Sequence, residues 1–109
     1  IHGLCKMLEK EDMIIICATM SLFHDIQKLN KLNFSSYIEI FLDVEMKELF
    51  NRDKNNLYSK AKQGLEKNVV GIDLTYEQPL NPTLNLQNNT IEQRDENIYQ
   101  ILSLVESKL

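Results

Sequence analysis

The sequence is poor in glycine, proline and cysteine and has no tryptophan, and these shortages exclude several kinds of site. None of its three glycines begins the G-x-x-x-x-G-K-[ST] motif of a phosphate-binding loop. Two cysteines are too few for a disulfide framework, and neither has the neighbours of a zinc site. No apolar run approaches the roughly 18 residues of a membrane span, and no signal pattern is present. We therefore expect a single cytoplasmic domain, residues 1–109, without a metal site of its own.

Charge is unevenly distributed along the chain. The formal net charge is -4, yet cations gather within residues 52–67, at Arg52, Lys54, Lys60, Lys62 and Lys67. An acidic chain without a broad basic face is a poor candidate for binding nucleic acid. A local basic cluster instead suits a small ligand that carries phosphate. A solvated helix with ordinary i, i+4 ion pairs is the alternative that composition leaves open.

The isolated cysteines and histidines are expected to be structural. Cys5 and Cys17 are predicted to be small buried hydrophobes. His2 and His24 have no companion ligands, so each is predicted to be an ordinary surface or helix-end histidine.

Apolar periodicity predicts an α/β fold. The run M-I-I-I-C-A at residues 13–18 predicts a strand covered on both faces in a parallel sheet, and residues 37–43 and 83–87 predict two more strands. Helices are predicted over residues 1–12 and 22–32, from about residue 44, and after a capping box formed by Thr90 and Gln93. The side chains expected to face the core are Phe23, Ile26, Leu29 and Leu32 in the second helix and Ile98, Ile101, Leu102, Val105 and Leu109 in the last.

Two stretches are placed to contact a ligand. Residues 64–82 have no clear periodicity, and a loop of that length inside a domain is typically a lid or a binding loop. Met20 and Ser21 directly follow the predicted strand at residues 13–18, and ligands of parallel sheets bind beyond the carboxyl ends of strands. Ser21 has a structural alternative as a helix N-cap, worth about 1 kcal/mol.

Residues 52–82 resemble the lid and substrate loop of adenylylsulfate (APS) kinases. That family carries approximately R-D-x-K-G-L-Y-x-K-A-R-x-G, followed by F-T-G-I-D-x-x-Y-E-x-P-x-x-P. The residues that match in order and spacing are Arg52, Asp53, Leu57, Tyr58, Lys60, Ala61, Gly64, Gly71, Ile72, Asp73, Tyr76, Glu77, Pro79 and Pro82. The family's S-P-Y-R pattern aligns with residues 21–24, where the serine and an aromatic residue are kept.

The resemblance implies a fold, cofactors and site residues. It implies a P-loop kinase-like parallel sheet flanked by helices, with ATP and Mg²⁺ as cofactors and a nucleotidyl small molecule as substrate. The implied lid residues on the ATP side are Arg52, Lys60 and Lys62. For Arg52, a surface ion pair with Glu48 worth under about 1 kcal/mol is the structural alternative. The implied substrate-binding residues are Met20, Ser21, Phe23, Asn55, Asn68, Val69, Gly71, Ile72 and Asp73.

The family also carries a P-loop and a D-G-D segment that this sequence lacks. The resemblance implies that both precede residue 1, so we expect these residues to be the C-terminal two thirds of one kinase domain, with about 50–75 residues before them. The expected consequences are that the P-loop, the Mg²⁺ ligands and the general base all lie upstream and that the 109-residue chain alone is inactive. Related kinases are commonly dimers, which makes a homodimer an expectation that the sequence does not test.

Departures from the family pattern leave three hypotheses open. His24 stands in place of the family's arginine, Asn55 in place of its lysine and Val69 in place of the phenylalanine that stacks on the substrate adenine. The simplest hypothesis is phosphorylation of the 3'-hydroxyl of adenylyl sulfate to 3'-phosphoadenylyl sulfate, a step of sulfate assimilation. The second is the same transfer to another nucleotidyl metabolite, such as a pyrimidine nucleotide diphosphate derivative used in modifying a surface polysaccharide. The third is a non-catalytic kinase-like domain that binds a nucleotide.

Overall fold

The computed structural model describes residues 1–20, 23–53 and 55–109. It confirms the α/β class and the parallel sheet. Its elements are α1 (His2–Leu8), α2 (His24–Asn33), β1 (Ile40–Asp43), α3 (Met46–Asn51), α4 (Leu57–Lys62), β2 (Leu84–Gln87) and α5 (Ile91–Lys108). The chain divides into two compact units, one of Ile1–Ile38 with Glu77–Asn81 and one of Glu39–Tyr76 with Pro82–Leu109. None of the helices in these described ranges is long and apolar enough to cross a membrane.

The second unit contains the sheet. β1 and β2 pair in parallel, with Ile40 opposite Leu84 and Asp43 opposite Gln87. Leu86 is only 5% exposed, while its strand neighbours Asn85 and Gln87 are exposed, which is the alternation expected of a strand with one covered face. The predicted strands at residues 37–43 and 83–87 are thus confirmed, both in shortened form.

Helix α5 begins with the predicted capping box. The backbone N–H of Gln93 donates to Thr90 Oγ1 over 3.2 Å, and the Gln93 side chain accepts from the Thr90 backbone over 3.3 Å. The predicted core stripe of this helix is right at Ile101 and Val105 and wrong at its other three positions. Asn97 is buried and donates from Nδ2 to the Gln87 carbonyl over 2.8 Å, so the half-buried positions are those that share its face: Ile101, Leu104 and Val105. Ile98, Leu102 and Leu109 are exposed.

The predicted strand at residues 13–18 is absent from the first unit. No described residue pairs with this stretch through a sheet ladder, and Ile16 is 88% exposed. A strand is defined by the backbone hydrogen bonds of a neighbouring strand, so an apolar run without a neighbour remains irregular. The prediction that both cysteines are buried is also wrong. Cys17 lies exposed in this stretch, and Cys5 in α1 is only half-buried.

Helix α2 turns a different face inward from the one predicted. Gln27 is buried, Asn30 Oδ1 lies 2.7 Å from His2 Nδ1, and the ring of Phe34 meets the ring of His2 at 5.1 Å. These contacts bring the face of Gln27 and Asn30 against α1. The predicted stripe lies off that face, and Phe23, Ile26, Leu29 and Leu32 are exposed.

Candidate functional site

The carboxyl ends of β1 and β2 lie side by side in the second unit. Gln87 Nε2 donates to Asp43 Oδ2 over 2.8 Å, and the next residue, Asn88, donates its backbone N–H to the Asp43 carbonyl over 2.9 Å. The Asn89 side chain accepts from the backbone N–H of Glu45 over 2.8 Å. This edge of a parallel sheet is where α/β proteins bind ligands.

Arg52 is fixed at this edge. Its Nε donates to Glu48 Oε1 over 2.6 Å, and its Nη2 donates to the carbonyls of Asn88 and Asn89 over 2.9 and 3.0 Å. Hydrogen bonds from Arg52 and then Asn51 hold the pKa of Glu48 below its usual range. The i, i+4 ion pair expected for Arg52 is therefore present, and the same side chain also faces the end of β2.

A hollow of about 520 Å³ adjoins Arg52. Its lining includes residues that sequence reasoning did not select, namely Asn88, Asn89, Thr90, Ile91, Glu92 and Arg94, together with Glu48 and Arg52. One sequence signal could have indicated them, because they directly follow the strand predicted at residues 83–87 and so lie beyond its carboxyl end.

Helix α4 carries the two lysines assigned to the lid. Lys62 Nζ lies 5.6 Å from the centre of the Phe50 ring, in a cation–π contact, whereas Lys60 is exposed. The N-cap of α4 is Asn56, which adopts the left-handed conformation at φ 53°. The resembling pattern has glycine at this position, and asparagine is one of the few other residues that tolerate such a backbone.

Asp53 caps the start of α4. Its carboxylate accepts from the backbone N–H groups of Tyr58 and Ser59 over 3.1 and 2.9 Å, and from Ser59 Oγ over 2.8 Å. Desolvation raises the pKa of Asp53, but the hydrogen bonds from Ser59 and Tyr58 outweigh it, so the pKa lies below its usual range. The two residues of the R-D pair therefore have different roles. Asp53 caps the start of α4, and Arg52 lies at the carboxyl end of β2.

Residues 68–74 form a tight turn closed by Asp73. Its carboxylate accepts from the backbone N–H of Asn68 over 2.8 Å and from that of Val69 over 2.6 Å, and these two hydrogen bonds lower the pKa of Asp73. Across the turn, the Gly71 N–H donates to the Leu74 carbonyl over 2.8 Å. Both carboxylate oxygens of Asp73 therefore hold the turn's own backbone.

Gly71 lets this turn approach α3. Its φ is 87°, and a Cβ at this position would lie 3.3 Å from Met46 Sδ. Asn68 also takes the left-handed conformation, at φ 62°. A hollow of about 310 Å³ lies beside the turn and is lined by residues 71–76. The G-I-D match is thus a compact, hydrogen-bonded turn with an open space next to it.

The two substituted positions in this unit differ in accessibility. Val69 is 7% exposed and packs inside the turn, so it does not present a wall on which a base could stack. Asn55 is exposed, next to the lid helix. Ile72 is half-buried.

The remaining predicted site residues lie in the first unit. Met20 and Phe23 are each 66% exposed, and Ser21 lies outside the described residues. The N-cap of α2 is Phe23, so the predicted N-cap role of Ser21 is wrong. His24 begins α2, where its backbone N–H donates to Glu77 Oε2 over 3.2 Å and its Nε2 lies 2.8 Å from the Gln78 carbonyl oxygen. At the other end of α2, Lys31 Nζ donates to the Asn81 carbonyl over 2.6 Å. Where the resembling pattern has an arginine, this chain has a histidine that contacts Glu77 and Gln78 in the loop at residues 64–82.

The structure thus gathers one set of predicted residues in the second unit and leaves another in the first. In the second unit, Arg52 follows α3 and the turn at residues 68–74 packs on Met46 of the same helix. The described residues contain no group of three His, Cys, Asp or Glu side chains that could hold a metal ion.

Comparison with known proteins identifies relatives of the whole chain. A family model described as adenylylsulphate kinase matches residues 1–87. The chain is 34% identical over 101 residues to the cytidine diphosphoramidate kinase of Campylobacter jejuni, covering 91% of this chain and 59% of that protein. It is 32% identical over 109 residues to the adenylyl-sulfate kinase of Pseudomonas aeruginosa, covering 98% of this chain and 55% of that protein. The chain spans about half the length of these curated relatives.

Proposed function

The chain belongs to the adenylylsulphate kinase family, and from that premise we propose that it supplies the acceptor and lid part of an ATP-dependent kinase that phosphorylates a hydroxyl of a nucleotidyl substrate. The observation that carries the proposal is the turn at residues 68–74, in which Asp73 and Gly71 give the G-I-D motif a fixed geometry beside a hollow of about 310 Å³. The volume of this hollow is at the lower end of the range of small-molecule sites, which is about 300–1,000 Å³.

The lid cations supply charge on the donor side. Phosphoryl transfer depends mainly on positioning and on neutralising charge at the phosphates. In our proposal Arg52 acts at the end of β2, where its contacts with Glu48 and the Asn88 carbonyl hold it in place, and the exposed Lys60 reaches a phosphate when α4 moves over the ligand. ATP would supply the transferred phosphoryl group. The described residues do not form a Mg²⁺ site, so we assign no step of the reaction to a metal held by this chain.

We favour a pyrimidine nucleotide derivative, of the cytidine diphosphate type, as the acceptor. Asn55 offers no full charge to a sulfate or phosphate, and Val69 lies inside the turn where the family has an aromatic residue for adenine. The 34% identity to a protein named cytidine diphosphoramidate kinase supports this choice.

Adenylyl sulfate is the second candidate acceptor. The family model and the 32% identity to the Pseudomonas aeruginosa adenylyl-sulfate kinase over 109 residues favour it. Phosphorylation of either acceptor would use the same phosphoryl donor and the same lid and would take place on a hydroxyl group. The two acceptors differ in the base and in the second anionic group.

Steady-state kinetics of the full-length protein with ATP separate the two candidates. We expect saturable phosphorylation of a cytidine diphosphate derivative with a kcat/KM at least about tenfold above that for adenylyl sulfate, a difference of about 1.4 kcal/mol. Saturable turnover with adenylyl sulfate alone would contradict the pyrimidine assignment. Absence of turnover with either acceptor would leave the non-catalytic hypothesis.

The variant Asn55→Lys tests the charge argument without disturbing the core, because Asn55 is exposed. Restoring the family's cation is expected to lower the KM for adenylyl sulfate by roughly threefold to tenfold, in line with a partly screened charge contact. Gln63→Lys adds the same charge to the exposed end of α4 and serves as the matched control. Equal effects of the two substitutions would show a general rather than a local effect of charge. Val69→Phe is a poorer test, since overpacking a buried position costs about 1–3 kcal/mol.

A further inference from the structure

Two free cysteines meet in the first unit, although twelve positions separate them in the sequence. Cys5 lies in α1 and Cys17 in the irregular stretch at residues 13–20, and their Sγ atoms are 3.2 Å apart. Cys17 is exposed and Cys5 is half-buried, so small reagents in solution can reach the pair. The proposed reaction does not use this contact.

The surroundings of the pair favour a covalent bond over a metal site. Within the described ranges, no third His, Cys, Asp or Glu completes a metal-binding group there. The two sulfurs would have to approach by about 1.2 Å to reach the usual disulfide length of about 2.05 Å. Residues 13–20 form no sheet ladder with the described residues, so this movement breaks no strand hydrogen bond that the structure describes.

We propose that Cys5 and Cys17 form a site of reversible oxidation that a low-molecular-weight disulfide converts to an intramolecular disulfide bond. The thiolate of one cysteine attacks the small disulfide, forms a mixed disulfide and releases one small thiol. The second cysteine then attacks the protein sulfur of the mixed disulfide and releases the second small thiol. The two protein thiols thereby lose two electrons and two protons, which appear in the two small thiols.

The contact between the sulfurs also affects the acidity of Cys17. The hydrogen bond with Cys5, followed by desolvation, raises the pKa of the Cys17 thiol. A thiol with a raised pKa is less often the attacking thiolate at neutral pH, but Cys17 is the more exposed of the two, so either cysteine can make the first attack. The resulting bond joins α1 to the stretch that leads into Met20.

Peptide mapping of the full-length protein tests the proposal. The protein is incubated with oxidised or reduced glutathione, denatured with N-ethylmaleimide, digested with trypsin and examined by mass spectrometry without reduction. After oxidised glutathione, we expect the peptide that ends at Lys6 to be linked to the peptide of residues 11–28, with loss of alkylation at both cysteines. Dithiothreitol should restore both alkylated peptides.

Single substitutions test whether each cysteine resolves the mixed disulfide of the other. Cys17→Ser and Cys5→Ser should each accumulate a glutathione adduct on the remaining cysteine, because the second thiol that would displace glutathione is absent. Both changes are nearly isosteric and affect only accessible positions. The proposal is overturned if both wild-type cysteines remain alkylated after oxidised glutathione. It is equally overturned if each carries a separate glutathione, or if either is linked to a cysteine other than its partner.

Discussion

Two stretches of this chain that are both predicted to be strands differ in structure. Residues 84–87 pair with β1 and bury Leu86, whereas residues 13–18 form no strand and leave Ile16 exposed. The stretch at residues 13–18 has the higher content of β-branched side chains, yet it lacks a ladder partner among the described residues. An apolar pattern therefore indicates the capacity to form a strand, and the neighbouring backbone decides whether the strand forms.

The largest expected effect on stability comes from truncating one apolar side chain in each stretch. Leu86→Ala removes a side chain that is 5% exposed and is expected to lower the free energy of unfolding by about 2–5 kcal/mol. Ile16→Ala removes one that is 88% exposed and should change it by less than about 0.5 kcal/mol. Urea unfolding of the 109-residue chain measures both. Equal losses would show that residues 13–18 are packed in solution and would end the distinction.

A smaller effect is expected at the turn of residues 68–74. Gly71→Ala places a side chain at φ 87° and brings its Cβ to 3.3 Å from Met46 Sδ. The left-handed backbone alone costs about 1–2 kcal/mol for a residue other than glycine. Gly64→Ala is the matched control, since it has φ 76° and nothing within 4 Å of the added Cβ.

The difference between the two glycine variants isolates the contact with α3. Thermal unfolding should show a greater loss for Gly71→Ala than for Gly64→Ala. In the full-length protein, the proposed function predicts that only Gly71→Ala raises the KM for the acceptor. Identical losses of stability, with the acceptor KM unchanged, would mean that the approach of the turn to Met46 has no role in building the site.

The smallest effect concerns the polar contacts that flank residues 13–18. Glu9 accepts from Lys6 Nζ over 2.6 Å and from the Ser35 backbone N–H over 2.7 Å, and these hydrogen bonds, that of Lys6 first, lower the pKa of Glu9 to about 2. A lowered pKa means that the contribution of Glu9 to stability is present above its ordinary pKa of 4.5 and is lost as the pH falls towards 2.

Carboxyl NMR titration measures this pKa directly. Lys6→Met removes the largest cause of the shift and should move the pKa of Glu9 upward, towards 4.5. The same variant should flatten the loss of stability between pH 4.5 and pH 2. A wild-type Glu9 that already titrates near 4.5 would contradict the contact with Ser35 as well as that with Lys6.

Sequence reasoning succeeded where the determinants are local. Thr90 and Gln93 are three positions apart and form the capping box that the pattern predicts, and Glu48 and Arg52 form the predicted i, i+4 ion pair. The two strands of the parallel pair were also predicted, the first from its β-branched and aromatic residues and the second from Leu84 and Leu86 on one face. Each of these features depends on residues that are close in the chain or on one periodic pattern.

The features that sequence reasoning missed depend on distant partners. Arg52 reaches the Asn88 carbonyl, His24 meets Glu77, and Cys5 meets Cys17, none of which follows from a motif or a period. The inward face of α5 was partly misplaced because the buried residue is Asn97, whose hydrogen bond to Gln87 satisfies a polar group that periodicity treats as solvent-facing. Position in the family pattern selected the residues of the turn at 68–74, and the structure adds that Asp73 holds the turn's backbone.

Backbone hydrogen exchange of the full-length protein, with and without a saturating cytidine diphosphate-type acceptor, tests the central claim that the turn at residues 68–74 belongs to the acceptor site. We predict slower exchange in peptides that cover residues 68–76 when the acceptor binds, with exchange in the distal half of α5 unchanged. Unaltered exchange across residues 68–76 at an acceptor concentration that supports full turnover would contradict the claim.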